Sequence, residues 1–335
     1  MRKRWVLAGG AVGAALFVLL APVLIVCALA PFNGRVGAGT AFAGSALLDV
    51  PPEPLEKPVT LKLATYNIAN AYLFTFNRPE RMRGIARKLI ELDPDLVALQ
   101  EAFIKRNRKI LYGELADSRL KYHVRFPSAT LGNGLLILSA FPIAEAYFYR
   151  YTRAGKWWKV WEGDWWAGKG VGLARVRLPG GGCIDFYNTH AQAPRRNNPY
   201  NVSVRASQMR ELAAFINASR CKTAPAFLAG DLNTTPKNGD YQRLRQEAGL
   251  VRVMDLPSHI DHVFAADSPH YRFQVLGTVE ISGRIQGSEA AVFLVKPPTW
   301  EEFKKMVLRP AEQTPLSDHP GYMTTVRVLP AAKQP

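Results

Sequence analysis

Twice along this chain a short apolar strand, an amphipathic helix and a second apolar strand follow one another, and each strand stops on a polar side chain. The first unit runs Leu61–Asn67, a helix over Arg81–Leu92 with apolar Met82, Ile85, Ala86 and Leu89, then Leu96–Glu101. Asp93-Pro94 ends that helix, because proline cannot continue one. The second unit is Cys183–His190, a helix over Val202–Ser219, and Ala226–Asp231. Strand–helix–strand units bury their apolar faces by stacking in layers, and polar strand ends then gather along one rim. The pattern predicts a layered α/β protein with its site at that rim.

Antiparallel strands are expected at Gly134–Ser139, Ala144–Tyr151 and Val171–Leu178, and further strands near Ile260–Phe264 and Tyr322–Val328. From Ala265 to Pro315 no motif is legible. With 335 residues and 48% hydrophobic composition the chain can build a large core, which excludes a disordered polymer. A net charge of +16 suits nucleic acid, an anionic membrane or a phosphorylated substrate, without choosing among them.

Arg2, Lys3 and Arg4 precede 25 uncharged residues, Val6–Ala30. That is enough to span roughly 30 Å of hydrocarbon, and longer than a signal-peptide core of roughly 7–15 residues. The expectation is one transmembrane helix in an N-terminal anchor (residues 1–31), a Gly/Pro-rich linker (32–58) and a catalytic domain (59–330); a cleaved signal segment is the alternative. Basic residues ahead of the span place the amino end in the cytoplasm and the catalytic domain outside it. Cys183 and Cys221 are the only cysteines beyond the span, each just ahead of a strand. If those strands are parallel neighbours, a disulfide between them is expected.

The polar strand ends are Asn67, Glu101, His190, Asp231 with Asn233, Asp261, and Asp318 with His319. Each alone has an ordinary explanation: Asp231-Leu232-Asn233 followed by Thr-Thr-Pro is a good turn, and His190 could be a core histidine. Together, TYNI, DLVALQE, FYNTHAQ, GDLN, HIDHVF and SDH, in this order, resemble the signature segments of the endonuclease/exonuclease/phosphatase superfamily over Leu61–Val328. The resemblance implies a four-layered α-β-β-α sandwich of two mixed sheets and a divalent cation, Mg²⁺ with Mn²⁺ as the alternative. Glu101 would be a hard oxygen ligand, with Asn67 offering its amide oxygen directly or through water. His319 would take a proton from the attacking water. By analogy Asp261 would hold that imidazole and Asp318 would lie close to the metal. His190 and Asn233 would donate to phosphoryl oxygens, and Asp231 would position the nucleophile or leaving group. The sequence departs from the family at His262, where an aromatic is more usual, and at Ala140, where a basic residue often follows the serine. His259 and His262 do not suggest a zinc site, since on a strand they face opposite ways.

Five of seven tryptophans fall in WWKVWEGDWWAGKG, Trp157–Gly170, with Lys156, Lys159 and Lys169. Trp and Lys together suit a bilayer interface; a packed hairpin and a base-stacking platform are the other readings. GDWWAGKGVGL followed by NTHAQAP resembles the neutral sphingomyelinase branch, which implies Asp164 and Lys169 near the phosphate, with Trp165 and Trp166 beside them. The expectation is therefore a sphingomyelinase-type phospholipase C acting on a membrane phospholipid or sphingolipid at the membrane surface. An endonuclease is the second reading, and no obligate protein partner is inferred.

Overall fold

β1 (Val59–Asn70) is the strand on which the first half of the molecule is built, and alternation along it explains both what it buries and what it delivers. In the computed structural model, which describes residues 27–28, 54–71, 77–126, 128–257, 260–285 and 314–331, β1 pairs in parallel with β2 (Leu96–Ala102) and antiparallel with β14 (Gly321–Pro330). Leu61 and Leu63 face the second sheet, Ala64, Tyr66 and Ile68 face helices, and the period of two carries Asn67 onto the Leu61 face at the strand's end.

The first sheet has the order β11 (Tyr271–Ile281), β14, β1, β2, β4 (Leu136–Ser139), β3 (Tyr122–Arg125). The second has the order β5 (Ile143–Arg150), β6 (Gly170–Arg177), β7 (Cys183–His190), β8 (Ala226–Asp231), β10 (Asp261–Ala266), β9 (Leu250–Arg252), and a short pair joins β12 (Arg284–Ile285) to β13 (Thr314–Pro315). In both, the parallel pair is the one joined by a helix: α1 (Arg78–Leu92) between β1 and β2, and α3 (Pro199–Ser219) between β7 and β8. α1 stops where Asp93 turns left-handed, with φ 49°, ahead of Pro94. α3 starts at Asn198, whose side chain accepts from the Tyr200 and Asn201 N–H groups, with Pro199 in its first turn.

Three apolar clusters separate the layers. One, with Leu63, Ala98, Phe186, Phe227 and Val263, fills the space between the sheets. A second packs α1 and α2 (Lys105–Glu114) on the first sheet, and a third packs α3 and α4 (Gly239–Ala248) on the other. This is the expected α-β-β-α sandwich. Two of its helices, α2 and α4, and the long edge strand β11 were not foreseen.

Among the described residues no helix is long and apolar enough to cross a membrane. The expected anchor lies outside them apart from Cys27 and Ala28, as does His259. The expected disulfide is corrected. β7 and β8 are parallel neighbours, yet Cys183 and Cys221 are free thiols. The Cys221 Sγ lies 3.1 Å from Thr223 Oγ1, and the Cys221 N–H donates to Asp185 Oδ2.

Candidate active site

The alternation that brings Asn67 inward acts on the second sheet as well. Asn188 and His190 follow Phe186 on the inter-sheet face of β7, Asp231 follows Ala229 on β8, and Asp261 precedes Val263 on β10. Just beneath the rim, Gln100 donates to Asn188 Oδ1 at 2.8 Å, and Asn188 donates to the carbonyls of Leu99 and Leu136. These bonds tie the sheets together where the polar ends meet. Gly230 lets β7 and β8 close up there, since at φ 157° an added Cβ would lie 2.2 Å from Thr189 O.

Glu101 reaches the site by a different device. Strict alternation would send it toward the helices with Val97 and Leu99, but its φ of 58° breaks the pattern and turns it to Asn67. Asn67 Nδ2 lies 3.3 Å from Glu101 Oε1 and 3.2 Å from Asp231 Oδ2. Its Oδ1 accepts from the Ala69 N–H at 3.1 Å, which fixes the amide's orientation. That oxygen keeps a second lone pair, so the bond to Ala69 leaves the expected contact with a metal, direct or through water, open. The Asn67 amide nitrogen joins two carboxylates.

His319 lies between two acids: Nδ1 is 3.0 Å from Asp261 Oδ2 and Nε2 is 4.0 Å from Asp231 Oδ2. Burial opposes its charge, but the bond to Asp261 and the field of Asp231 prevail and lift its pKa to about 10. Burial and the nearby Asp261 raise Asp231 to about 6. Burial, then Asp318, raises Glu101. Asp231, Asp261 and His319 lie close enough to hold an ion. One carboxylate facing each ring nitrogen accounts for that cluster as a proton-handling trio. Asp318 is exposed, with Ser317 Oγ 3.4 Å from its Oδ1 and donating to Asn67 O at 2.6 Å.

The opposite wall is formed by Lys169, which is buried and surrounded. Its Nζ lies 2.6 Å from Asp164 Oδ1 and 2.7 Å from Ala191 O. It is also 3.0 Å from His190 Nε2. His190 is pushed well below the usual histidine range, by burial first and by Lys169 second, and is neutral. Asn233, at φ 51°, donates Nδ2 to the same Ala191 carbonyl at 3.1 Å. Asp164 also meets Arg195 Nη2 at 3.4 Å. The two expected substrate-facing tryptophans separate. Trp166 is buried and donates its indole N–H to Trp157 O at 2.9 Å, while Trp165 is half-buried and meets it edge-on. Trp166 braces the loop instead of presenting to a ligand.

Sequence reasoning missed the support behind Asn233. Arg205 of α3 donates to Asn233 O and to Asp240 Oδ2, both at 2.6 Å. Asp240 Oδ1 in turn accepts from Thr234 Oγ1 at 2.6 Å. Arg205 on the buried side of α3 was the available signal, since a buried arginine requires a partner.

Comparison with known proteins agrees with this architecture. The Endonuclease/Exonuclease/phosphatase family matches residues 64–319, and the chain belongs to that family. Inositol phosphosphingolipids phospholipase C of Schizosaccharomyces pombe is 30% identical over 232 residues, covering 68% of this chain and 54% of that protein. Human sphingomyelin phosphodiesterase 2 is 32% identical over 175 residues, covering 52% of this chain and 41% of that one. The chain thus spans about half the length of these curated relatives. Among solved structures, beta toxin from Staphylococcus aureus with bound magnesium ions superposes with a TM-score of 0.57 at 15% identity, covering 79% of this chain and 99% of that one. At that identity the likeness concerns the fold.

Proposed function

We propose that this chain is a divalent-metal-dependent phosphodiesterase of phospholipase C type, releasing a phosphorylated headgroup from a sphingolipid or related membrane lipid. The observation that carries the reading is the convergence of the Asp261–His319 pair, Asp231, Asn67 and Glu101 from both sheets on one rim. The names of the relatives support the sphingolipid class.

The residues present fit a hard cation. Glu101 is an oxygen donor held by Asn67, and Asp318 is near enough to raise it, so two carboxylates compete for positive charge at this edge. Glu101 would hold Mg²⁺, with Mn²⁺ as the alternative and Asp318 close by. When bound, the cation would supply Lewis-acid stabilisation of charge on a phosphoryl oxygen. In its neutral form His319, oriented by Asp261, would accept the proton that the attacking water loses. Asp231, between Asn67 and His319, would position the nucleophile or leaving oxygen. His190, Asn233 and Lys169 line the other wall and would stabilise charge developing on the phosphoryl group, Lys169 by leaving Asp164 for substrate.

The uncharged run Val6–Ala30 behind three basic residues supports a single anchoring helix with the catalytic domain outside the cytoplasm. Tethering of that kind would raise the effective concentration at a lipid surface. The reading is tested by incubating the protein with Mg²⁺ and either sphingomyelin vesicles or plasmid DNA. Headgroup release that stops on chelation is expected; plasmid cleavage without headgroup release would overturn the lipid assignment.

A further inference from the structure

Exposed apolar side chains gather at one edge of this site. Among the described residues Trp158 (52% exposed), Val160 (38%) and Tyr200 (38%) come from two segments 40 residues apart in sequence, whereas the other large exposed hydrophobics lie on α1, β3, β9 and β11. Lys156 joins them, with Nζ 5.3 Å from the Trp158 ring centroid and 4.8 Å from that of Tyr200. The two segments are stitched together. The Tyr200 hydroxyl donates to Ala154 O at 3.3 Å, Arg195 Nη2 to Glu162 O at 2.7 Å, and Asn201 Nδ2 to Glu162 Oε2 at 3.4 Å.

Charge at this edge has one dominant sign. Arg195, Arg196 and Asn197 take three successive positive φ angles, 45°, 59° and 57°, and all three residues are exposed at that corner. Glu162, the nearby acid, is occupied by Lys159 at 2.9 Å. Arg195 also meets Asp164, the residue that holds Lys169, so the edge borders the site wall directly. An indole, a phenol and an aliphatic side chain beside a lysine and arginines have the composition of a bilayer interface. A nucleic-acid platform would use the rings for stacking but has no use for Val160.

We propose that Lys156, Trp158, Val160, Arg196 and Tyr200 form the docking edge that seats the domain on an anionic bilayer, with Trp158 and Val160 entering the interfacial zone and the cations meeting anionic headgroups. The proposal rests on the lipid reading for its purpose, though docking can be measured without turnover. Seated in this way, the domain presents the Asp164–Lys169 wall to the lipid layer.

The test uses the full chain reconstituted in phosphatidylcholine–sphingomyelin vesicles, with and without phosphatidylserine, and a soluble phosphodiester as a second substrate. Trp158→Ser with Val160→Ser should lower turnover of bilayer sphingomyelin about tenfold and leave the soluble substrate unchanged. Quenching of tryptophan fluorescence by brominated lipid should fall in the same variant, and Lys156→Gln should weaken the response to phosphatidylserine. Unchanged bilayer turnover together with unchanged quenching overturns the docking edge. If the unaltered protein cleaves neither substrate, the phosphodiesterase reading fails, while quenching still decides the docking edge.

Discussion

The inter-sheet floor of the site and its tryptophan-bearing rim hold their polar groups in opposite ways. On the floor, Asp231 is 1% exposed and Asp261 2%, each group meets another ionisable group, and burial moves the titration of Asp231, Asp261, Glu101 and His190. On the rim, Trp158, Tyr200 and Arg196 stand in water, and what fixes them is a few bonds between loops. A buried constellation costs desolvation and gains strong, preorganised electrostatics, whereas an exposed one costs little and acts only when a partner removes its water. The floor is therefore suited to chemistry and the rim to contact.

The largest effect should come from the floor. His319→Ala removes the group between Asp231 and Asp261 and leaves two buried carboxylates facing each other. Metal-dependent phosphodiester cleavage should fall by roughly 10²- to 10⁴-fold, with vesicle docking unchanged. Near-normal turnover in this variant would remove the assigned proton-handling role and with it the contrast between floor and rim.

An intermediate effect should come from Arg205, which touches neither region's ligand face. Arg205→Ala leaves Asp240 buried without its ion-pair partner, a loss of about 3 kcal/mol of stability, and frees the Asn233 backbone. Turnover should fall about tenfold through kcat at unchanged KM. Arg205→Lys restores the charge but cannot reproduce both bonds of the fork. It should recover most of the thermal stability and little of the rate. If both recover together, Arg205 supports the fold and does not position Asn233.

The floor was far more legible in sequence than the rim, for a physical reason. Alternation in β1, β7, β8 and β10 assigns a face to every residue, so Asn67, His190, Asp231 and Asp261 could be placed together between the sheets from strand ends alone. Glu101 was legible as a strand end, but it joins the floor through a positive φ, which alternation does not reveal. Residues 157–166 have no regular period, so nothing in the sequence separates buried Trp166 from exposed Trp158 or brings Tyr200 beside Lys156. The Cys183–Cys221 expectation failed similarly: strand order was right, but Cys221 lies in the turn ahead of β8, where the Cys221 Sγ meets Thr223 and no periodicity places it. β11 escaped notice because, as an edge strand interrupted at Gly277, it buries little along its length.

The smallest effect on turnover, and the sharpest test of where the floor ends, concerns His262. It follows Asp261 on β10 but faces the helices, ring-to-ring with Tyr241 at 4.9 Å and with Nε2 3.0 Å from Thr234 O. Burial lowers its pKa to about 4, so the folded protein keeps it neutral where the unfolded chain, at its ordinary value near 6.5, takes up a proton. The unfolded state thus binds more protons between about pH 6.5 and 4. Stability should be fully present above that window, fall by roughly 3 kcal/mol through it and level off below pH ~4. His262→Phe, the kind of side chain the family more often carries there, should remove this acid slope at a pH-independent cost of about 1 kcal/mol for the lost bond to Thr234. Denaturation at successive pH values reads the slope, and turnover at neutral pH should not move. A fall in neutral-pH turnover in this variant would extend the floor through β10 to its helix face, and the division between chemistry and support would have to be redrawn there.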